Sequence, residues 1–300
     1  ISTTKVQHFL HMSKKNSTFA RLMVKKMYLY RICSWLKHRF TAWNTGGEGV
    51  HSPYLFEWVR MVMSDKNAYY RWDEIEACRR QMLANRREVD FVDYGSASRH
   101  LKDGKKYVSQ KKMVSDIARG SLARAKYAQM LYRLVNWLGH QLRESDRGLT
   151  IVELGTSLGI TTAYLASADA RDKVFTYEGC GDVARLAREN WSSLGINNIS
   201  CRVGCIDTAE LCRDLPCLDL AFVDANHTYE ATWLYFDVLA GKVHEKSVIV
   251  VDDVHHSIEM EKAWQAICED ERVTTTIDLY QMGLVFFDKR YWRRNYRMRL

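Results

Sequence analysis

From residue 150 onward the chain alternates between short strand-like runs and longer helical ones. The strand-like runs cover 150–154, 173–178, 199–203, 218–224 and 247–252, and helical periodicity fills 159–169, 181–194, 207–214, 228–242 and 256–269. This alternation restricts the fold more than any other feature. Each strand–helix–strand step is a right-handed crossover, and repeated crossovers build a parallel sheet covered by helices on both faces. Two further strand-like runs, 273–281 and 284–288, have only Met282-Gly283 between them. With no room for a helix, they are predicted to form an antiparallel hairpin on the sheet edge.

The part of the chain before residue 112 reads as mainly helical. Phe19, Leu22, Met23, Met27 and Tyr30 fall on one helical face, so a helix over 14–39 is expected to dock through it. A glycine-rich turn at 45–51 precedes Pro53, which suits the first turn of a helix through 54–63. Another helix is expected at 72–86, then a strand-like run at 88–94 that ends in Gly95-Ser96-Ala97-Ser98. Residues 102–112 are highly charged and expected to be exposed, and the domain boundary is placed there. The expectation is an N-terminal extension, 1–111, capping the substrate side of an α/β domain, 112–300, that begins with helices at 112–119 and 121–143.

Charge is distributed unevenly. The net charge is +8, yet residues 1–47 hold nine Lys or Arg and no acid, and the remainder is nearly balanced. A second basic cluster, Lys289, Arg290, Arg293, Arg294, Arg297 and Arg299, lies close to the last residue. Such clusters suit RNA, an anionic membrane surface or an acidic substrate, but the favoured reading is a solvated helix face and a basic tail. No apolar run is long enough to span a bilayer. Basic residues interrupt the apolar stretch at 19–36, and no small-residue cleavage site follows it, so a cytoplasmic location is expected. The eight cysteines form no C-x-x-C pair, and free thiols in a reducing compartment are expected. Neither a G-x-S-x-G elbow nor a P-loop is present, which removes support for hydrolase and nucleoside-triphosphatase readings.

The chemistry-bearing residues fall at strand ends. The first strand of the alternating region runs through Glu153 into Gly155-Thr156-Ser157-Leu158-Gly159. A glycine turn there lets a ligand approach the backbone at the carboxyl edge of the sheet. The G-x-x-x-G spacing is not the pyrophosphate-binding G-x-G-x-x-G, and Glu153 would repel phosphates but could receive a cationic amine. Glu178 ends the second strand, where a carboxylate can accept ribose hydroxyls. Asp207 follows the third strand and could accept an adenine amino group or cap the next helix.

Taken together, Ile151-Val152-Glu153-Leu154-Gly155-Thr156-Ser157-Leu158-Gly159, Tyr177-Glu178, Asp207, Phe222-Val223-Asp224-Ala225-Asn226-His227 and Val251-Asp252-Asp253 resemble a class I S-adenosylmethionine-dependent O-methyltransferase. The resemblance covers about 112–300. Within that group the chain is similar to small bacterial enzymes related to macrolide and aminocoumarin sugar methyltransferases, and more distantly to catechol O-methyltransferase. The resemblance implies a Rossmann-like sheet of five parallel units closed by the hairpin. It implies S-adenosylmethionine held by Glu153, Gly155, Thr156, Ser157, Gly159, Glu178, Asp207 and Asp224, with a small-molecule hydroxyl as acceptor. It also implies Mg²⁺ held by Asp224, Asp252 and Asp253, lowering the pKa of a substrate hydroxyl. The sugar methyltransferases place an acidic base two residues after the first metal ligand, where this chain has Asn226. That departure leaves His227, His255 and His256 as candidate bases, with His227 favoured because it follows the fourth strand directly. The alternatives are an RNA methyltransferase using the basic clusters and a non-catalytic protein of the same fold.

Overall fold

The computed structural model describes residues 18–42, 46–50, 52–93, 108–142, 147–215, 217–290 and 292–300, with side chains of the first helix from Leu29 onward. Helix α1 (Thr18–Thr41) is followed by α2 (Pro53–Trp58), a π-helical turn (Val59–Met63) and α3 (Tyr70–Ala84). Strands β1 (Glu88–Asp93) and β2 (Val108–Met113) precede α4 (Val114–Ser121) and α5 (Ala125–Leu142). The alternating region then runs β3 (Thr150–Leu154), α6 (Ile160–Ala166), β4 (Lys173–Glu178), α7 (Gly181–Ser193), β5 (Ile199–Val203), β6 (Leu218–Val223), α8 (Tyr229–Ala240), β7 (Val243–Asp252) and α9 (Ile258–Glu269). It closes with β8 (Thr275–Asp278), β9 (Met282–Phe286) and β10 (Arg294–Arg297).

The main sheet has the order β10-β8-β9-β7-β6-β3-β4-β5. Strands β3 to β7 pair in parallel, and β9 is antiparallel to both β7 and β8. This is the mixed sheet the sequence predicts, five parallel units and a C-terminal hairpin. Alternate residues of the central strands enter different cores, as the two-residue period of a strand requires. Ile151, Phe222 and Val250 pack with α2, α5, α6 and α7, whereas Val152, Val223 and Val251 pack with α8 and α9. Both faces are therefore buried, which explains why these strands read as nearly continuous apolar runs.

Three elements depart from the sequence reading. Residues 207–214 form turns rather than a helix. The Asp207 carboxylate accepts the Ala209 N–H at 2.9 Å, a local bond that competes with helix continuation. The charged stretch supplies β2, which pairs antiparallel with β1 from Glu88–Met113 to Asp93–Val108. The expected boundary at 111/112 therefore falls inside a strand. The C-terminal basic cluster is not merely a tail, because Arg294 to Arg297 add β10 to the sheet parallel to β8.

The extension also shares the domain's core. Trp58 and Val62 are fully buried in one cluster with Leu131, Leu134 and Leu138 of α5. The π-turn leaves the Val62 carbonyl to accept the Nε–H of buried Arg133 at 2.6 Å. The expected helix at 14–39 appears as α1, but the Phe19, Leu22, Met23 and Met27 side chains lie outside the described residues, as do the turn 95–98 and residues 102–107. All eight cysteines are free thiols.

The amino edge of the sheet is fixed by one buried acid. Asp219 accepts two bonds from the Arg147 guanidinium at 2.8 Å each and the Thr150 N–H at 2.7 Å, and His244 Nε2 stands 2.8 Å away. Burial pushes its carboxyl up, but the bonds from Arg147, His244 and Thr150 outweigh burial and hold it down at about 2. A lowered folded pKa stabilises above the unfolded value of 3.8, and that contribution is lost as pH falls toward 2. Asp219→Asn is expected to cost about 3 kcal/mol at neutral pH, because it leaves buried donors without their anion. Urea denaturation at pH 7 and below pH 3 checks this, and the difference from wild type should shrink at the lower pH.

Candidate active site

Strands β3 and β6 are neighbours, but their helices cover opposite faces of the sheet. Such a switch point opens a crevice at the carboxyl ends of the strands. Gly155 sits at its base with φ +100°, and a Cβ there would collide with the main-chain carbonyl of Asp224. Only glycine meets both requirements. The Gly155 and Thr156 N–H groups both donate to the Tyr177 carbonyl, at 3.0 and 3.1 Å, which ties the turn to β4.

The rest of the loop is held from α7, which the sequence reading missed. Asn190 Nδ2 donates to the Leu158 carbonyl at 2.9 Å, and Trp191 Nε1 donates to the Gly159 carbonyl at 2.8 Å. The indole lies against Gly159, again leaving no space for a Cβ. No fixed spacing marks these partners in the sequence, since they lie 32 residues from the groups they hold.

The four acids expected around the cofactor are placed differently from one another. Glu178 ends β4 half-buried and receives the Ser157 N–H at 2.7 Å on one oxygen and the Cys180 N–H at 2.9 Å on the other. Ser157 Oγ stands 2.6 Å from Ser121 Oγ, so the loop also meets α4. Asp207 is exposed and closes its own turn. Glu153, expected to receive a cofactor amine, is wholly buried beneath the loop. Its Oε2 accepts Thr162 Oγ1 at 2.5 Å and Thr176 Oγ1 at 2.6 Å, while its Oε1 has no hydrogen-bond partner among the described residues. Thr156 is buried with it, its hydroxyl 2.5 Å from that of Thr176. These groups shape the floor of the loop.

Asp224 and His227 stand across the crevice. Asp224 Oδ1 lies 3.3 Å from His227 Nε2, and both side chains are partly exposed. The intervening turn has Asn226 at φ +62° and His227 at φ +44°, and Asn226 Nδ2 donates to Tyr235 Oη at 2.6 Å. A second acid–imidazole pair follows β7, where His256 Nδ1 is 3.2 Å from Asp253 Oδ2. The His227 and His256 rings stack with centroids 5.9 Å apart. Gln281 donates to both Asp252 and Asp253. Arg31 of α1 reaches the His256 ring and also its carbonyl, at 3.1 Å.

His255 goes elsewhere. It is buried, with Nε2 2.9 Å from Asp278 Oδ2 and its ring stacked on Tyr280. His38 of α1 shares Asp278 at 3.2 Å. His255 lines a polar cleft of about 380 Å³ between α9, β8 and β10 that touches none of Gly155, Asp224 and His227. The expected trio of Asp224, Asp252 and Asp253 does not converge as a cation site. Among the described residues no group of three or more His, Cys, Asp or Glu could hold a metal ion. Two of the three acids take the Gln281 amide instead.

A family model described as a methyltransferase domain matches residues 152–254, which include the loop, Glu178, Asp224, His227, Asp252 and Asp253. The match covers the segment from β3 to the turn after β7, about a third of the chain. No curated protein sequence matches the chain. Cofactor-bound Rv0187 from MTB is 23% identical over 56% of this chain and 82% of that one, with a TM-score of 0.48. The O-methyltransferase TomG from Streptomyces achromogenes, solved with SAM, is 19% identical over 56% and 82%, at 0.46. The O-methyltransferase from Bacillus cereus, solved with SAH, is 16% identical over 76% and 95%, at 0.49. At these scores residue roles rest on the geometry of this chain alone.

Glu153 gives a test of the loop's foundation. Burial pushes its carboxyl from 4.5 up to about 7, and the two threonine hydroxyls only partly offset burial. A raised folded pKa means that the native state binds the proton more tightly than the unfolded chain. Stability therefore falls as pH climbs from about 4.5 to 7. Glu153→Gln keeps an acceptor for both threonines and removes that penalty. It is expected to melt higher than wild type above pH 7, by on the order of 3 kcal/mol at most, with no advantage below pH 4.5. Thermal melts across that range check it, and equal melting at every pH would refute it.

Proposed function

We propose that this chain transfers a methyl group from S-adenosylmethionine to a hydroxyl of a small-molecule acceptor, with His227 as the base. The observation that carries the reading is the Asp224–His227 pair, 3.3 Å apart on the turn beside Gly155. The cofactor would be held by the 155–159 loop and Glu178. Gly155 presents bare backbone where a side chain cannot stand, and Glu178 lies half-buried at the end of β4, bonded to the loop through the Ser157 N–H. When bound, the cofactor supplies an electrophilic methyl on a sulfonium.

The chain's own residues would do the rest. A proton on His227 Nε2 faces Asp224, which fixes the tautomer and makes Nδ1 the nitrogen that accepts the acceptor's hydroxyl proton. The Asp224 carboxylate then stabilises the imidazolium. Asn226 cannot take a proton at neutral pH, and its amide is committed to Tyr235. His256 stacks behind His227 with its own carboxylate and would keep the ring in place. Fixing the acceptor oxygen against the donor supplies the larger share of the rate, and the base contributes about 10²–10⁴-fold.

Calorimetry with S-adenosylhomocysteine is expected to show binding, weakened in Glu178→Ala by roughly 1.5–3 kcal/mol, the scale of hydrogen bonds to a charged group. Unchanged affinity in that variant removes Glu178 from the site. Turnover on a panel of phenolic and sugar hydroxyls should rise with pH as His227 loses its proton. His227→Gln should lower turnover by roughly 10²–10⁴-fold and flatten that limb without moving S-adenosylhomocysteine affinity. Full turnover in His227→Gln would overturn the assignment, and binding without turnover on any acceptor would favour a non-catalytic protein.

A further inference from the structure

Helix α1 has two working sides. Its inner side holds the domain near the ends of β7 and β8. Tyr30 Oη donates to Glu261, Arg31 reaches His256, and His38 Nε2 lies 3.0 Å from the Asp278 carbonyl. Tyr280 Oη answers by donating to the Arg31 carbonyl at 2.9 Å. Its outer side presents Leu29, Cys33, Leu36 and Phe40 at i, i+4, i+7 and i+11, a stripe that a globular helix normally turns inward. All four are exposed, Leu29 to 59% and Phe40 to 83%. Exposed Lys37 and Arg39 flank the stripe.

We propose that the outer side of α1 seats the protein on an anionic lipid surface. Two observations select this occupant. A helix side that shows large apolar residues between cations matches the interface of an anionic bilayer, where the apolar groups enter the acyl boundary and the cations meet headgroups. Residues 1–47 carry nine cations and no acid, so the whole segment complements such a surface. A second copy of this chain fits less well, because a two-fold contact would set the same acid-free segment against itself. RNA fits less well because leucines gain nothing from phosphates, and single strands are bound through cations and stacking rings. The contact from Arg31 to His256 links α1 to the Asp253 side of the crevice. Docking on lipid would therefore bring that side of the crevice to the membrane. No described helix is long and apolar enough to cross it, so the attachment is a surface one.

The experiment is co-sedimentation of the full chain with vesicles of phosphatidylcholine alone and of phosphatidylcholine mixed with phosphatidylglycerol. Binding is expected on the mixed vesicles, weaker on the neutral ones, and falling as salt rises. The double variant Leu36→Asn/Phe40→Asn should bind mixed vesicles at least about tenfold more weakly. Lys37→Gln/Arg39→Gln should lose most of the preference for the anionic lipid. Both pairs change exposed positions, so far-UV circular dichroism and S-adenosylhomocysteine affinity should stay at wild-type values, and neither readout depends on methyl transfer. No binding to the mixed vesicles would overturn the proposal, as would binding that the Leu36/Phe40 pair leaves intact. It would also fall if those variants instead abolished a dimer seen by light scattering, or if the chain shifted RNA and ignored vesicles.

Discussion

Residue 155 stands where two adjacent parallel strands end side by side and their chains turn to opposite faces of the sheet. Its α-carbon lies so near the Asp224 carbonyl that no Cβ fits between them, and its φ of +100° is closed to most other residues. Everything around the crevice depends on that approach. It lets the 155–159 loop fold back onto β4 through the Tyr177 carbonyl and come within reach of Glu178. It also fixes where Asp224 leaves β6, since the Asp224 N–H donates to the Leu154 carbonyl at 2.8 Å. A larger residue at 155 would push apart the two strand ends that carry the proposed donor and acceptor sides.

Two buried acids in the same sheet show how partners decide protonation. Both suffer burial, which raises a carboxyl. Asp219 meets a guanidinium, an imidazole and a backbone amide, and its carboxyl is held at about 2. Glu153 meets only two hydroxyls, which cannot offset burial, and it rises to about 7. Asp219 is thus an anionic clamp on the amino edge. Glu153 is a prop under the loop, wholly buried. Sequence alone places both acids within strands, and the difference lies in side chains that the fold brings from elsewhere.

That contrast marks where the sequence was readable. The parallel strands were legible because burial on both faces makes them short apolar runs with helices between, and the hairpin because Met282-Gly283 leaves no room for a crossover. The Gly155 turn and the acids at strand ends follow from that order. The loop's anchors on α7 were not legible, because Asn190 and Trp191 look like any polar and aromatic pair on a helix. Strand β2 hid in a charged stretch because its ribbon with β1 leaves most of its residues exposed. Strand β10 hid among arginines for the same reason, being an edge strand with only Tyr296 turned inward. The histidines could be collected by proximity in sequence but not sorted. His255 and His256 are adjacent, yet one enters a buried cluster with Asp278 and the other stacks on His227.

The backbone itself sorts them. Asn226, His227 and Asp253 all adopt left-handed conformations, at φ +62°, +44° and +56°, directly after β6 and β7. Such a conformation costs roughly 1–2 kcal/mol for a residue like His227 and less for Asn or Asp. The fold sustains that cost through the Asn226–Tyr235 bond and the His227 N–H to the Ala225 carbonyl at 2.8 Å. Relaxing the turn after β6 would swing His227 away from Asp224, and relaxing Asp253 would separate it from His256. Strain of this kind persists where surrounding structure enforces it, and it concentrates where side chains must be aimed. Here it aims two imidazoles, each with its own carboxylate, at the ends of the two strands nearest the Gly155 crevice on the side away from Glu178. Asn226, its amide committed to Tyr235, takes the left-handed turn that sets the next residue, His227, beside Asp224.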